Sequence, residues 1–117
     1  MNDTKKTFYR GKYSEISFVV AKDITSYKIR AELYDGEGHS VELANTAAGG
    51  GDSQIEITAT GATSYFTVKV AKGLTADFDL KHAYIEIEFE AEADKPVTAY
   101  VGSIRMRDAQ IDWVTPT

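Results

Sequence analysis

The sequence of 117 residues contains no cysteine, and it has only two histidines, two prolines and one tryptophan. Without cysteine the chain forms no disulfide, no thiol nucleophile and no thiolate metal site. Two histidines leave little material for a zinc site or for a histidine general base. We therefore expect no catalytic residue, no metal site and no bound cofactor, and we do not expect an enzyme.

Long apolar runs and excess positive charge are also missing. No stretch approaches the roughly 20 apolar residues of a membrane span, and no apolar segment of signal-peptide length follows Lys5 and Lys6. The net charge is −5, from 13 basic and 18 acidic residues. That sign argues against unaided binding to nucleic acid or to an anionic membrane. We expect synthesis in a cytoplasm without secretion through a signal peptide.

The length and the 43% of hydrophobic residues fit one globular domain spanning residues 1–117. Short tails are expected at 1–6 and 114–117. The segment 44–53 contains Gly49-Gly50-Gly51, and three consecutive glycines cost too much backbone entropy for the inside of a strand or helix. It is predicted to be a flexible glycine-rich loop within the domain.

Apolar and polar residues alternate along most of the chain, the pattern of a strand with one buried and one solvated face. The clearest run is 83–92, where Ala83, Ile85, Ile87 and Phe89 alternate with Tyr84 and a series of glutamates. Similar runs occupy 15–20, 27–34, 54–60, 65–70 and 97–101. Because the two faces differ so strongly, antiparallel sheets are favoured over a parallel sheet covered by helices.

Turn signals separate these runs. Asp35-Gly36-Glu37-Gly38 and Asp94-Lys95-Pro96 each predict a hairpin. The apolar phase of 97–101 is shifted at Ile104 and Met106, which predicts a β-bulge at Gly102-Ser103. Seven or eight closely spaced strands predict an all-β, immunoglobulin-like antiparallel two-sheet sandwich. A small β-barrel is the alternative.

The glutamates of the clearest strand are the most conspicuous candidate site. Glu86, Glu88, Glu90 and Glu92 place four carboxylates on one strand face, about 7 Å from one to the next. Such a ladder is a docking face, a cation site, or a solvated face paired with cations across the sheet, the candidates being Lys28, Arg30, Lys69, Arg105 and Arg107. Calcium sites usually draw ligands from loops, so we favour the paired face. With Tyr84, these glutamates form the candidate interaction surface.

Other polar residues carry weaker signals. Asp77 and Asp79 flank Phe78, but a pair of catalytic carboxylates needs a cleft between facing partners. The glycines before His39 do not match a calcium loop and are explained by a tight turn that needs positive φ. Trp113 and the surface tyrosines could form a sugar-stacking platform, which leaves a carbohydrate-binding module as an alternative function.

A series of short motifs runs through residues 8–107 in a familiar order. They are Phe8-Tyr9-Arg10-Gly11-Lys12, Ile16-x-Phe18-x-Val20, Asp23-Ile24-Thr25, Ile29-Arg30-Ala31, Phe66-x-Val68-x-Val70, Leu74-Thr75-Ala76-Asp77-Phe78, Tyr84-Ile85-Glu86-Ile87 and Gly102-Ser103-Ile104-Arg105-Met106. This order resembles small β-sandwich domains encoded in phage and prophage tail gene clusters, of which the N-terminal domain of upper baseplate proteins is the best-known relative. The chain departs from that pattern at Lys12, where an aspartate is common, and at Met106, where a valine is common.

The resemblance implies a non-catalytic structural protein of a phage or prophage tail, neck or baseplate, acting as an accessory or adaptor module. It offers no catalytic residues to carry over. The expected partners are other tail or virion proteins and further copies of the chain in a homo-oligomer. The expected location is the virion, assembled in the cytoplasm of a bacterial host.

Overall fold

A computed structural model describes residues 6–51, 54–78 and 82–108. Within these ranges the chain forms eight strands and one turn of 3-10 helix, without an α-helix. The strands are β1 (Lys6–Arg10), β2 (Ser14–Val20), β3 (Lys28–Asp35), β4 (Ser40–Ala44), β5 (Ile55–Ala59), β6 (Ser64–Val70), β7 (Ala83–Glu90) and β8 (Pro96–Asp108), and the 3-10 turn is Thr46–Ala48.

The strands form two sheets. One has five strands in the order β1-β8-β7-β3-β4, and the other has three in the order β2-β6-β5. The orders β8-β7-β3-β4 and β2-β6-β5 match the G-F-C-C′ and B-E-D orders of immunoglobulin variable-type sandwiches. The predicted two-sheet sandwich is therefore confirmed. A closed barrel is not formed, because backbone pairing between the sheets is limited, in the described ranges, to one bridge between Asn45 and Ile55.

One strand pair corrects the prediction of purely antiparallel sheets. β1 runs parallel to β8, from Lys6 opposite Ile104 to Arg10 opposite Asp108. Alternation of apolar residues is the same in a parallel and an antiparallel edge strand, so the pattern carries no information on this direction.

The predicted bulge at Gly102-Ser103 is wrong in position. Ile87 lies opposite Tyr100 and Glu88 opposite Thr98, so the extra residue on β8 is Ala99. The bulge brings Tyr100, Gly102 and Ile104 into one phase on the inner side of the sheet. The ring of Tyr100 covers Gly102, where an added Cβ would lie 2.5 Å from the tyrosine hydroxyl.

The core lies between the two sheets and consists of the inward residues of the alternating runs. Ile29 and Leu33 of β3, Val68 of β6 and Ile85 and Ile87 of β7 have no exposed surface. An aromatic series crosses the core. Phe18 stacks on Phe66 with ring centroids 5.3 Å apart, and Phe66 contacts Phe89 of the opposite sheet edge-on at 5.8 Å. Tyr100 and Tyr27 extend the series at its two ends.

The predicted tails and loop overlap the described ranges only in part. Lys6, the last residue of the predicted N-terminal tail, begins β1. The predicted C-terminal tail, 114–117, lies outside the described residues. The glycine-rich segment 44–53 is described up to Gly51 and contains the 3-10 turn, while its flexibility stays a prediction.

Candidate functional site

The glutamate ladder lies on the outer face of the five-stranded sheet, as the alternation of β7 predicts. Tyr84, Glu86, Glu88 and Glu90 are half-buried there, while Glu92 follows the end of the strand and is exposed. The ring of Tyr84 stacks on Tyr34 of β3 with centroids 5.4 Å apart. This stacked pair covers one end of the ladder.

Cations lie beside three of the four glutamates of the ladder. Nη1 of Arg30 lies 3.0 Å from a carboxylate oxygen of Glu90 and 3.5 Å from one of Glu88. Glu92 pairs with Lys95 in the following turn at 3.1 Å. The expected pairing across the sheet is therefore observed for Arg30. It is wrong for Lys69, which lies on the other sheet and pairs with Glu56 at 3.0 Å.

Glu90 is the most firmly held of these carboxylates. It accepts hydrogen bonds from the Arg30 guanidinium and from the backbone N–H of Asp94, at 3.0 and 2.9 Å. Both bonds favour the ionised form, so they lower the pKa of Glu90 from its ordinary value of 4.5, with the Arg30 hydrogen bond as the largest cause.

The fourth glutamate of the ladder, Glu86, faces further negative charge. In the registers of β3 with its neighbours, Glu32 lies directly opposite both Glu86 of β7 and Glu42 of β4. Period two places all three side chains on the same outer face. In the part of the chain that the structure describes, no ion pair reaches any of them. Directly opposed like charges destabilise a sheet, so this acidic row is energetically unfavourable in the isolated chain.

The hairpin between β3 and β4 sets the register that brings Glu42 beside Glu32. The buried carboxylate of Asp35 accepts hydrogen bonds from the backbone N–H groups of Glu37 and His39, at 3.0 and 2.8 Å. Its second oxygen lies 2.8 Å from Nδ1 of His39, whose side chain is 43% exposed. Gly38 has the positive φ, 92°, that the turn was predicted to need.

The loop that follows β4, residues 45–51, lies beside the acidic row and is held there by hydrogen bonds of Asn45. The Asn45 side-chain oxygen accepts the N–H groups of Ile29 and Ala48, and its amide donates to the carbonyl of Tyr27. The Asn45 carbonyl accepts the N–H of Gly50 at 2.9 Å. Asn45 thereby ties the loop to the start of β3.

The loop and the sheet face border an open cavity of about 520 Å³. Its lining combines the acidic row and Glu88 with the backbone of Gly49–Gly51 and the side chain of Gln54, and Arg30 contributes the one positive charge among the lining residues. The lining contains no aromatic ring. The arrangement suits an extended, positively charged group better than an apolar or anionic one.

Sequence reasoning missed Glu32, Glu42 and the loop as parts of this site. The sequence did contain a signal for the two glutamates. In a hairpin whose turn is centred on Glu37, residue 32 lies directly opposite residue 42. Nothing in the alternation predicts how the loop folds over the face.

The other candidate residues are not brought together here. Asp77 and His82 lie outside the cavity lining, and Asp79, Asp112, Trp113 and the side chain of Asp108 lie outside the described residues. Within the described ranges, no group of three or more histidine, aspartate or glutamate side chains is placed to hold a metal ion. No helix in this part of the chain is long and apolar enough to cross a membrane.

Replacement of Gly50 by alanine is expected to destabilise the protein and to displace the loop. An added Cβ at Gly50 would lie 2.0 Å from the carbonyl oxygen of Ala44, so the backbone has to shift, at a cost of about 1–3 kcal/mol. Gly51 is the matched control, since a Cβ there meets nothing within 4 Å. Urea unfolding should show a lower stability for Gly50→Ala and no loss for Gly51→Ala. Equal effects at both positions would contradict the close packing.

The Glu90–Arg30 contact predicts part of the acid sensitivity of the fold. A lowered carboxyl pKa gives stability that is present above the ordinary value of 4.5 and is lost as the pH falls through the folded-state pKa. Glu90→Gln should therefore be less stable than the parent at pH 7, and the difference should shrink below pH 4.5. Urea unfolding at a series of pH values measures it. A difference that stays constant with pH would show that Glu90 acts only through packing.

Comparison with protein-family models and with curated proteins gives no match to this chain.

Proposed function

We propose that this chain is a non-catalytic assembly module that holds a basic segment of another protein against the acidic row. The observation behind the proposal is the alignment of Glu32 with both Glu42 and Glu86 at the wall of the cavity. Repulsion among these carboxylates is relieved when a lysine or arginine side chain enters between them. The polar glycine loop offers backbone hydrogen-bonding groups to the same segment.

The wider setting of the proposal is a phage or prophage tail, neck or baseplate, in which the chain acts as an accessory or adaptor. This setting rests on the resemblance of the motif order over residues 8–107. A rigid two-sheet sandwich with a charged outer face is compatible with such a role. A carbohydrate-binding function has less support, because the cavity lining contains no ring on which a sugar could stack.

The stability of two charge-neutralising variants tests the acidic row itself. Glu86→Gln removes one of three opposed charges and should raise the free energy of unfolding by about 0.2–1 kcal/mol. Glu88→Gln is the matched control on the same strand face, since Glu88 contacts Arg30 at 3.5 Å, and it should give no gain.

The same row should bind a positively charged peptide. The probe is a fluorescein-labelled peptide of alternating lysine and glycine, with the glutamate–glycine peptide as the negative probe, measured by fluorescence anisotropy. Glu32→Gln/Glu86→Gln should weaken binding about fivefold, since an exposed ion pair contributes up to about 1 kcal/mol. Glu15→Gln/Glu37→Gln makes the same change in net charge elsewhere and should leave binding unchanged. Equal losses of affinity in both double variants would show that binding depends only on net charge, and would refute binding of a basic segment at the acidic row.

The tail setting has a separate test. Particles induced from the bacterial strain that carries the gene are purified and analysed by quantitative mass spectrometry. We expect the chain in a fixed ratio to the tail proteins, because a structural component has a defined copy number. Absence of the chain from intact particles would refute its role as a virion component. Binding of a basic segment at the acidic row would still be tested separately by the peptide experiment.

A further inference from the structure

β4 is an edge strand of the five-stranded sheet, with β3 on one side only. The N–H of Asn45, just after the strand, donates to the carbonyl of Ile29 at 2.9 Å, so residue 45 bonds towards β3. The direction of bonding alternates along an antiparallel strand. The backbone N–H and C=O groups of Ser40, Glu42 and Ala44 therefore point away from β3, to the outer edge.

The chain closes this outer edge at Ala44. Oε1 of Gln54 accepts the N–H of Ala44 at 3.0 Å, and a Cβ added at Gly50 would lie 2.0 Å from the Ala44 carbonyl oxygen. Among the described residues, no hydrogen bond reaches the outward backbone groups of Ser40 and Glu42, and both residues are exposed. Their N–H and C=O groups form a short free edge that ends at the loop 45–51.

Negative charge without a nearby cation distinguishes this edge from the other free edges of the described ranges. Glu42 belongs to the acidic row, to which no ion pair extends within those ranges. On the edge strands of the other sheet, Glu56 pairs with Lys69 and Glu15 lies opposite the same lysine. The edges at β1 and at 96–103 carry no acidic side chain. Charges on an edge strand select which strand can pair with it.

We propose that the basic segment held at the acidic row binds as an added strand, antiparallel to β4 along Ser40 and Glu42. This inference rests on the proposed function and gives the segment a conformation. The residue opposite Glu42 would exchange two backbone hydrogen bonds with it and point its side chain to the same outer face. A lysine or arginine there extends the row of Glu42, Glu32 and Glu86 with a cation.

The same geometry gives the segment a sequence pattern. The neighbours of the basic residue in the added strand point inward, beside Val41, which is buried against the core. A charged side chain at those positions would face apolar surface, so they are uncharged. The partner that fits is an extended segment in which basic and uncharged residues alternate, bound by strand addition.

Charge selects a basic segment of another protein over the other available strands. A second copy that paired through its own β4 would bring two acidic rows together, which like-charge repulsion opposes. Residues 109–117 contain no lysine or arginine, and residues 1–5 precede β1 at the opposite edge of this sheet. The segments 52–53 and 79–81 are shorter than the roughly five or six residues of a typical strand.

The experiment compares three peptides of equal charge on the unmodified protein by fluorescence anisotropy. They are the lysine–glycine peptide, the same peptide with every lysine backbone nitrogen methylated, and the same peptide with every glycine nitrogen methylated. In antiparallel pairing the lysine N–H groups face β4 and the glycine N–H groups point away. Methylation at lysine should weaken binding at least about tenfold, because it removes hydrogen bonds and places methyl groups against the edge. The glycine-methylated peptide is the matched control and should bind like the unmodified one.

Amide hydrogen exchange of the protein, followed by NMR, gives an independent readout. The Glu42 N–H should exchange fast in the free chain and slow down when the lysine–glycine peptide is added. The N–H of Leu43 points to β3, so it is the internal control and should be protected in both states. A Glu42 amide that is protected before the peptide is added would show that the edge is already occupied, and would overturn the proposal.

The peptide results separate this inference from the proposed function. If neither methylation weakens binding, or both do so equally, the added strand is refuted, while loss of binding in Glu32→Gln/Glu86→Gln still supports the acidic row. Weakening by glycine methylation alone would contradict the antiparallel pairing. If the unmodified lysine–glycine peptide does not bind, both proposals are refuted.

Discussion

The contact of Phe66 with Phe89 joins the two sheets, and the rest of the fold depends on it. Phe66 also stacks on Phe18 within its own sheet, and the ring of Tyr27 contacts Phe89 edge-on. Buried rings of this size contribute much of the hydrophobic free energy of a small domain. The series fixes the distance and the mutual rotation of the sheets, in a chain that has no disulfide to do so.

The acidic face is a geometric consequence of that core. Once Ile85, Ile87 and Phe89 are buried, the intervening residues of β7 must lie on the outer face. The same argument places Glu32 of β3 and Glu42 of β4 outward, and the register set by the β3–β4 hairpin brings them into one row. Arg30 and Lys28 offset this charge on the same face, but Arg30 contacts Glu88 and Glu90 and Lys28 lies opposite Glu90, so neither reaches the row itself. Two requirements, a buried core and a fixed register, thus concentrate negative charge at one position.

The sequence predicts features that depend on local alternation and turn chemistry. The inward faces of β3, β6 and β7, the hairpin at Asp35–Gly38 and the outward positions of Glu86, Glu88 and Glu90 were predicted correctly, because burial imposes period two on these strands. The placement of Glu92 on the same strand face was wrong, since β7 ends at Glu90. The parallel direction of β1 depends on a partner about 100 residues away, which no local pattern encodes. The bulge was assigned to Gly102-Ser103 because glycine suggested it, whereas Gly102 instead provides the space for the ring of Tyr100. The cavity was not predicted, since it depends on hydrogen bonds from Asn45 to β3.

The parallel pairing of β1 with β8 also has a mechanical consequence. Lys6 starts the pair and Asp108 ends it, so tension along the chain between these residues pulls the two strands past each other lengthwise. All the hydrogen bonds of the pair then resist together in shear, whereas an antiparallel hairpin pulled at its open end separates one bond at a time. Forced unfolding is governed by the rate of crossing this barrier. The β1–β8 pair therefore resists tension between Lys6 and Asp108 in shear.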